Sequence, residues 1–432
     1  MLRDGFARYF GLTHPQEGLI QALEALPTDQ IDILAADLRS AAEKGGAVFL
    51  MGNGGSFDNA RLIAALLRRR GVRAKLPGDP DRYLEATAAA DYGAIFVKGL
   101  EDDRIGPEDL AIGISGSGNS PNVVRALEYA KQIGAATLGL GGRDGGRMRR
   151  VVGDRRCLLA AATEMEMIED LHSLIGAALD KILAQGLTAA EVVGTLVAAL
   201  RRLLGASNID RFADLASEMI RRLDNQGRLF VIGTALSLGH FRADAQRGFT
   251  NGVPIRGFCA PELFTINSGM ATLNDDGPSF LIADGLVKFS PGSGDFAVLF
   301  ALGGDQRVLK PARDLLLQGH TPFLEVGRTV TGIDFSPVLD AFDAEIVPTV
   351  CGHACGVVIN RWLRELFRVR RLPALKLELG DDRKLNADDT VRLERRLREE
   401  GTLAENEVIC FQYGEALAAK DPAAFGLERV YY

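Results

Sequence analysis

GNGGS at Gly52–Ser56 and ISGSGNSPNV at Ile114–Val123 are the two segments that decide the fold. The apolar run Ala47–Met51 before the first segment predicts a buried strand, and apolar residues at helical spacing after it predict a helix. The second segment likewise follows a predicted strand, Leu110–Ile114, and its Pro121 opens a predicted helix that runs to Gly134. Both glycine-rich segments therefore lie in strand-to-helix turns of an α/β pattern.

These two turns have the composition of a phosphate-binding site. Glycine allows the backbone to approach an anion, backbone N–H groups and the helix dipole supply positive potential, and serine hydroxyls add neutral donors. Glycine and serine are also common in ordinary turns, but two such turns at successive strand ends favour phosphate binding. The candidate phosphate-binding residues are Asn53, Gly54, Ser56, Ser115, Ser117, Asn119 and Ser120.

Composition limits the class of protein. A chain of 432 residues predicts more than one domain, and a net charge of −7 argues against a nucleic-acid-binding surface. We find no apolar run long enough to span a bilayer and no signal-peptide core at the N-terminus, so we expect no membrane partner and a cytoplasmic location. The five scattered cysteines indicate reduced thiols rather than a disulfide framework.

Four segments occur in an order and spacing that resemble the sugar isomerase (SIS) domain family, and within it the phosphoheptose isomerases. They are GNGGS, ADYG at 90–93, SGSGNSPNVVRALEYAK at 115–131 and LGLGGRDGG at 138–146, within a match over about residues 19–183. The resemblance implies a flavodoxin-like, three-layer α/β domain with a parallel sheet and the ligand at the carboxyl ends of the strands. It also implies that the ligand is a sugar phosphate, and that Asp91 contacts the sugar.

The second half of the chain repeats the first. Gly233–Val253 aligns with Gly52–Val72 without a gap, and Ala297–Ala301 aligns with the strand Leu110–Ile114. We therefore predict two tandem flavodoxin-like domains. The predicted boundaries are 1–187 for the first SIS domain, 188–370 for a helical connector with a second SIS-like domain, and 371–432 for a C-terminal extension.

The second copy has lost its serine loop. Its counterpart is FALGGDQRV at 300–308, where the hydroxyls are absent and Asp305 replaces Ser120, so a phosphate would meet a like charge. Thr188–Ser207 is a predicted helix that connects the halves. Because SIS domains pair to complete each other's pockets, we expect one competent pocket per chain, in the first domain and walled by the second, and a homo-oligomer of such pseudo-dimeric chains.

Conversion of an aldose phosphate to a ketose phosphate moves a proton between adjacent carbons, which requires a base and a group that polarises the carbonyl. The resemblance implies a His and a Glu on the helix after GNGGS, and a Gln and a His on the last helix of the domain, which supply the acid–base pair and any zinc ligands. This sequence has Leu62, Leu66, Glu169 and Ala177 at those positions. We therefore expect no metal, no cofactor and a changed set of catalytic groups.

Replacement groups can be named. Glu166 and Glu169 lie on one predicted helical face, where paired carboxylates can include one of raised pKa that acts as a base. The alternative is a solvated acidic first turn favoured by the helix dipole. His172, one turn further on, is either the partner acid or a structural histidine. In the second half, His240 follows the turn equivalent to GNGGS, and His353 aligns with the Glu169 position.

Two functions remain open at this stage. The first is a metal-independent sugar-phosphate isomerase of the aldose–ketose type, and the second is a catalytically silent sensor or assembly protein that keeps the phosphate loops. A third, the isomerase half of a hexosamine synthase, is disfavoured because we find no amidotransferase segment or N-terminal cysteine nucleophile ahead of the domain.

Overall fold

The computed structural model describes residues 2–12, 18–78, 91–162, 165–203, 229–233, 286–300 and 306–326, together with isolated positions at 210, 213, 214, 217, 283, 395 and 399. Two compact units are present, one formed mainly by residues 4–209 and the other mainly by residues 210–333 and 354–432. We call them the first lobe and the second lobe.

The first lobe is built on a five-stranded parallel sheet. Its strands are β1 Val48–Met51, β2 Ala74–Lys75, β3 Leu110–Ser115, β4 Ala136–Gly142 and β5 Cys157–Ala160. Their order is β2-β1-β3-β4-β5, and every neighbouring pair is parallel. All residues of β1 and β3 are buried, as expected for central strands covered on both faces. This flavodoxin-like order places the switch point between β1 and β3, so the ligand crevice is expected beyond their carboxyl ends.

Helices cover both faces of this sheet. They are α1 Leu2–Phe10, α2 Leu19–Glu24, α3 Thr28–Glu43, α4 Gly55–Arg69, α5 Ile95–Asp102, α6 Pro121–Ile133, α7 Gly146–Val152, α8 Met165–Gln185 and α9 Ala189–Leu203, with short 3₁₀ turns at Tyr92–Ala94 and Asp154–Arg156. On one face, α5, α6 and α7 pack against alternate residues such as Phe49 and Met51. On the other, α4 contacts β1 and α8 contacts β4. The predicted three-layer α/β fold is confirmed for this lobe.

Local sequence signals explain where the helices begin and end. Pro121 occupies the first turn of α6, and Gly134 ends that helix with a φ of 92°, which is the left-handed conformation that glycine adopts without strain. Both ends agree with the prediction from sequence. Within the described residues, no helix is long and apolar enough to cross a membrane.

α4 and α8 form a close parallel seam. Ser173 Oγ donates to Asn59 Oδ1 at 2.6 Å near the carboxyl edge of the sheet. In the middle, a Cβ added to Gly176 would lie 2.7 Å from Ile63 Cγ1, so glycine at this position lets the two helices approach. At the far end, the Arg70 guanidinium makes hydrogen bonds of 2.8 and 2.9 Å to Asp180.

The predicted connector helix is present as α9. It packs against α2, α3 and α8, so these residues belong to the first lobe in the structure. The N–H of Ala189 donates to the Asp32 carboxylate at 2.9 Å, which ties the start of α9 to α3.

The second lobe contains a smaller parallel sheet. Its strands are β6 Leu229–Gly233, β7 Phe296–Phe300 and β8 Phe323–Val326, in the order β6-β7-β8, and α10 Gln306–Gln318 lies between β7 and β8 in the chain. Phe230, Leu299, Leu309 and Leu316 lie in its core. This arrangement parallels β1, β3, α6 and β4, as the internal repeat predicts. The complete second domain, the C-terminal extension and residues 301–305 of the degenerate loop lie outside the described residues.

Candidate functional site

The two glycine-rich turns meet at the switch point of the first lobe. β1 and β3 are neighbours in register, with Met51 opposite Gly113, so the turns that follow them leave the sheet at the same edge. The side chains of Asn53 and Asn122 join the turns directly. Each carboxamide donates an N–H to the oxygen of the other at 2.9 Å, which makes a closed pair of hydrogen bonds.

The first turn offers backbone donors at the amino end of α4. Gly54 has a φ of 53° and a ψ of −126°, a left-handed conformation that favours glycine, and it immediately precedes the helix. Ser56 is buried, and its N–H donates to the Asn53 carbonyl at 3.0 Å. The N–H groups of Gly54 and Gly55 have no acceptor within the part of the chain that the structure describes. They remain as donors where the helix dipole is positive.

The second turn, Gly116–Ser120, holds its hydroxyls in fixed positions. Ser115 Oγ lies 3.0 Å from Ser120 Oγ and accepts the Gly118 N–H at 3.1 Å. Ser117 Oγ accepts the Asn119 N–H at 3.2 Å. The Ser117 hydroxyl accepts here and keeps its O–H, whereas one of Ser115 and Ser120 donates to the other, so one O–H of that pair remains to donate. We call residues 115–120 the serine loop.

The turn between β4 and α7 supports the serine loop. The carbonyl of Gly118, whose φ is 67°, accepts the Met148 N–H at 2.8 Å, and a Cβ at this position would overlap the Gly145 carbonyl. The Asn119 carboxamide donates to the Ser117 carbonyl at 3.1 Å and accepts the Arg147 N–H at 3.1 Å. Asn119 was predicted to bind phosphate, and in the structure its carboxamide shapes the loop.

Tyr92 is a member of the site that the sequence analysis did not single out. Its hydroxyl donates to Asn53 Oδ1 at 2.6 Å. Partial burial raises the pKa of the Tyr92 phenol above its ordinary value, so the hydroxyl keeps its proton at neutral pH. Tyr92 lies in the quoted ADYG segment, and an aromatic residue beside a candidate ligand contact is the signal that could have identified it.

Asp91 lies beside the site and is itself held. Its carboxylate accepts the Arg125 Nη1–H at 2.9 Å, and half of the Asp91 side chain is exposed. Gly93 packs against the same guanidinium, where a Cβ would lie 2.5 Å from Nη1. Residues 91–94 are therefore attached to both turns, through Tyr92 to the first and through Arg125 on α6 to the second.

Glu169 brings a carboxylate to the first turn. It is 2% exposed, and its carboxylate packs so closely on Gly55 that a Cβ there would overlap it. Its carbonyl accepts hydrogen bonds from Asn59 Nδ2 at 3.0 Å and from Ser173 Oγ at 3.2 Å, which fixes this turn of α8 against α4. The solvated alternative therefore does not describe Glu169. Glu166 lies on α8, but its side chain lies outside the described set.

His172 lies in the core behind the site. It is fully buried, and its Nε2 lies 3.0 Å from the Gly141 carbonyl of β4. Burial lowers the pKa of His172 to about 4, so the imidazole is neutral at physiological pH and Nε2–H donates to the main chain. This placement fits the structural alternative. The candidates His240 and His353 lie outside the described residues.

The positions where the resemblance implies acid–base groups are apolar and closed. Leu62 and Leu66 on α4 are each 1% exposed, and Ala177 on α8 is 3% exposed. Leu66 reaches the α4–α8 seam near Gly176. Among the residues that the structure describes, no group of three or more His, Cys, Asp or Glu side chains is arranged to hold a metal ion.

Comparison with known proteins defines the class of protein. Residues 16–142 match the family model of the SIS domain. Phosphoheptose isomerase of Trichlorobacter lovleyi is 35% identical over 177 residues, which are 39% of this chain and 88% of that protein. The chain belongs to the SIS domain family. Phosphoheptose isomerase 1 of Campylobacter jejuni is 36% identical over 163 residues, 36% of this chain and 86% of that protein, so the first lobe is phosphoheptose isomerase-like.

A similarity that covers more of the chain concerns only the fold. The crystal structure of tagatose-6-phosphate ketose/aldose isomerase from Escherichia coli superposes with a TM-score of 0.51 at 15% identity. The superposition covers 84% of this chain and 94% of that one. The α/β fold predicted from sequence is confirmed.

Proposed function

We propose that this chain is a sugar-phosphate isomerase of the aldose–ketose type, which binds the phosphate of its substrate between the GNGGS turn and the serine loop. The observation that carries the proposal is the position of Glu169, whose buried carboxylate packs on Gly55 at the first turn. A proton acceptor thus lies next to a set of anion donors. The phosphoheptose isomerase relatives of the first lobe support the same reaction class.

The proposal gives the donors and the carboxylate different tasks. Backbone N–H groups of Gly54 and Gly55 and the hydroxyls of the serine loop hold the phosphate as neutral donors. The Glu169 carboxylate accepts a proton from the carbon next to the sugar carbonyl and returns it to the adjacent carbon, while the carbonyl and hydroxyl exchange places.

The remaining catalytic groups belong to the same proposal. His172 is engaged with the main chain of β4, so a partner acid must come from another element. We keep in this proposal the sequence prediction that the partner acid is His240 or His353, both in the second repeat, and that this repeat completes one competent pocket per chain. The proposal also includes the predicted homo-oligomer of such chains and the predicted C-terminal extension at 371–432. Asp91 contacts the sugar in this proposal, alongside its bond to Arg125.

One observation favours a second candidate function. Leu62, Leu66 and Ala177 fill with apolar side chains the positions where the resemblance implies the acid–base pair. A protein that binds a sugar phosphate without converting it, and that acts as a sensor or assembly protein, would also lack those groups.

Solvent deuterium incorporation separates the two functions. We would incubate the full chain in D₂O with a panel of hexose and heptose phosphates and follow C1 and C2 by NMR. An isomerase incorporates deuterium at the carbon that exchanges its proton, whereas a silent binding protein shifts the ligand resonances without incorporation. Binding without exchange across the panel would favour the sensor.

Glu169→Gln tests the proposed base. Loss of general base catalysis predicts a fall in kcat of about 10²- to 10⁴-fold. KM should be unchanged or lower, because the variant removes a negative charge beside the phosphate. Glu101→Gln, an exposed change at the end of α5, is the matched control and should keep full activity. Full turnover by Glu169→Gln would remove Glu169 from the mechanism.

A chelator tests the expectation that no metal takes part. Because the implied ligand positions are Leu62, Leu66 and Ala177, dialysis against EDTA should leave ligand affinity and turnover unchanged. Turnover that is lost on dialysis and restored by zinc would contradict this expectation.

A further inference from the structure

The carboxamide of Asn53 is the point where three parts of the site converge. Its Oδ1 accepts two hydrogen bonds, from the Tyr92 hydroxyl at 2.6 Å and from Asn122 Nδ2 at 2.9 Å. Its Nδ2 donates to Asn122 Oδ1 at 2.9 Å, and that oxygen also accepts the Val123 N–H at 3.0 Å. Asn122 is fully buried, so its side chain is a fixed reference for the network.

This network determines which end of the Asn53 carboxamide is a donor. A carboxamide oxygen has two lone pairs, and both of those on Asn53 Oδ1 are used. If the group turned by half a revolution, its NH₂ would face the NH₂ of Asn122 and its oxygen would face the oxygen of Asn122. Both contacts are repulsive, so the present orientation is strongly preferred. One N–H of Asn53 has no acceptor within the described part of the chain, and Asn53 is partly exposed beside Gly54.

We propose that Tyr92 is a positioning residue, which fixes the Asn53 carboxamide so that its remaining N–H, and not its oxygen, faces a bound phosphate. The inference rests on the phosphate site proposed above. Phosphate oxygens are acceptors, so a carboxamide held in this orientation adds a donor to the site. Asn122 alone holds the carboxamide by one edge, so loss of the Tyr92 bond would leave the second lone pair of Asn53 Oδ1 uncovered beside the anion.

The segment that carries Tyr92 is suited to this task. It is held at a second point by the Asp91–Arg125 pair at 2.9 Å, and Gly93 lies against the same guanidinium. Tyr92 therefore approaches Asn53 from a segment anchored to α6 and does not depend on the first turn for its position. Tyr92 is 40% exposed, so loss of its hydroxyl should leave no closed cavity and cost the fold little.

The test compares two phenol-to-phenyl substitutions with inorganic phosphate as the probe. Tyr92→Phe removes the 2.6 Å bond to Asn53, and Tyr9→Phe removes a bond of the same length between α1 and the buried Asp170 of α8. We expect Tyr92→Phe to weaken phosphate binding by about five- to tenfold, the effect of one hydrogen bond, at nearly unchanged melting temperature. Tyr9→Phe should lower the melting temperature and keep the affinity.

Two outcomes of the titration would overturn the proposal. One is unchanged phosphate affinity in Tyr92→Phe. The other is a loss of affinity that is accompanied by a drop in melting temperature as large as that of Tyr9→Phe, because Tyr92 would then act only through the stability of the fold. Calorimetry at matched ionic strength gives the affinities.

A second measurement does not depend on ligand binding. In protein labelled with ¹⁵N-asparagine, exchange of the Asn53 side-chain N–H with solvent reports how firmly the carboxamide is held. We expect faster exchange in Tyr92→Phe, and unchanged exchange would overturn the role of Tyr92. If the parent protein binds neither phosphate nor any sugar phosphate, the proposed function fails, and the exchange measurement still decides the role of Tyr92.

Discussion

Gly55 and Glu169 share one small volume, and a pair of substitutions can measure their coupling. In Gly55→Ala, the new Cβ overlaps the Glu169 carboxylate, which is buried and cannot move into solvent without rearrangement of α8. Overpacking of a buried site costs about 1–3 kcal/mol. Alanine is the better helix former by up to about 1 kcal/mol, which opposes this cost because Gly55 is not among the positive-φ glycines of the first lobe. We expect a net destabilisation of about 1–2 kcal/mol.

Removal of the Glu169 carboxylate should reverse the effect of Gly55→Ala on stability. In a Glu169→Ala background, the three atoms nearest to the added Cβ at position 55 are absent, so Gly55→Ala should be neutral or stabilise by up to about 1 kcal/mol. The coupling between the two substitutions is then about 1–3 kcal/mol, the range observed for residues in contact. In the single Gly55→Ala variant, displacement of the carboxylate by about 1 Å should lower turnover by about 10²-fold.

Hydrogen exchange is the appropriate assay because the chain has two lobes and need not unfold in one step. Mass spectrometry of peptides from α4 and α8 gives the local free energy of opening for the parent, both single variants and the double variant. Free energies that add to within about 0.5 kcal/mol would show that Glu169 does not occupy the space beside Gly55. The proposed base would then lie away from the phosphate loops.

Three further predictions can be checked by calorimetry, hydrogen exchange and the pH dependence of stability. Ser56→Ala and Ser120→Ala should each weaken a sugar phosphate by about 1–2 kcal/mol in calorimetry, whereas equal affinity of variant and parent would reject the site. Asp180→Asn should destabilise the α4–α8 seam by about 1–2 kcal/mol, because Asp180 is buried and bound to Arg70 by two hydrogen bonds, and unchanged exchange in both helices would contradict this. Burial lowers the pKa of His172 from 6.5 to about 4, so its stabilising effect is complete above pH 6.5 and lost as the pH falls toward 4. The free energy of unfolding of the first lobe should therefore fall by about 2 kcal/mol between pH 7 and 5. In the His172→Leu variant, it should fall much less over that interval.

Local signals made much of the first lobe predictable from sequence. Ala47–Met51 and Leu110–Ile114 differ by at most one residue from β1 and β3, because a short buried strand between polar turns has few alternatives. The ends of α6 were also correct, since Pro121 and Gly134 restrict the backbone at their own positions. The phosphate-binding roles of the two turns stay a prediction that ligand measurements must test.

The side-chain network of the site was beyond the reach of sequence patterns. Tyr92 and Asn53 are 39 residues apart in the chain, and Asn53 and Asn122 are 69 apart. Periodicity reports which face of an element is buried, but not which distant side chain it meets. His172 is an example, because the same helical position suits a partner acid or a structural histidine until the carbonyl of Gly141 is seen opposite its ring.

The parallel packing of α4 and α8 links two distant parts of the first lobe, the turn that carries Glu169 and the pair of Asp180 with Arg70. Glycine at 176 lets the two helices approach, and the side chain of Ile63 packs directly on the backbone of α8 at that point. Glu169 and Asp180 lie on the same helix, about 16 Å apart at the helical rise of 1.5 Å per residue. The hydrogen bonds from Arg70 to Asp180 therefore hold the carboxyl-terminal half of α8 against α4 at the end of the helices farthest from Glu169. The Arg70 side chain is 39% exposed there. Loss of the Arg70–Asp180 hydrogen bonds should therefore loosen the packing of α8 on α4, and hydrogen exchange would show whether the turn that carries Glu169 loosens with it.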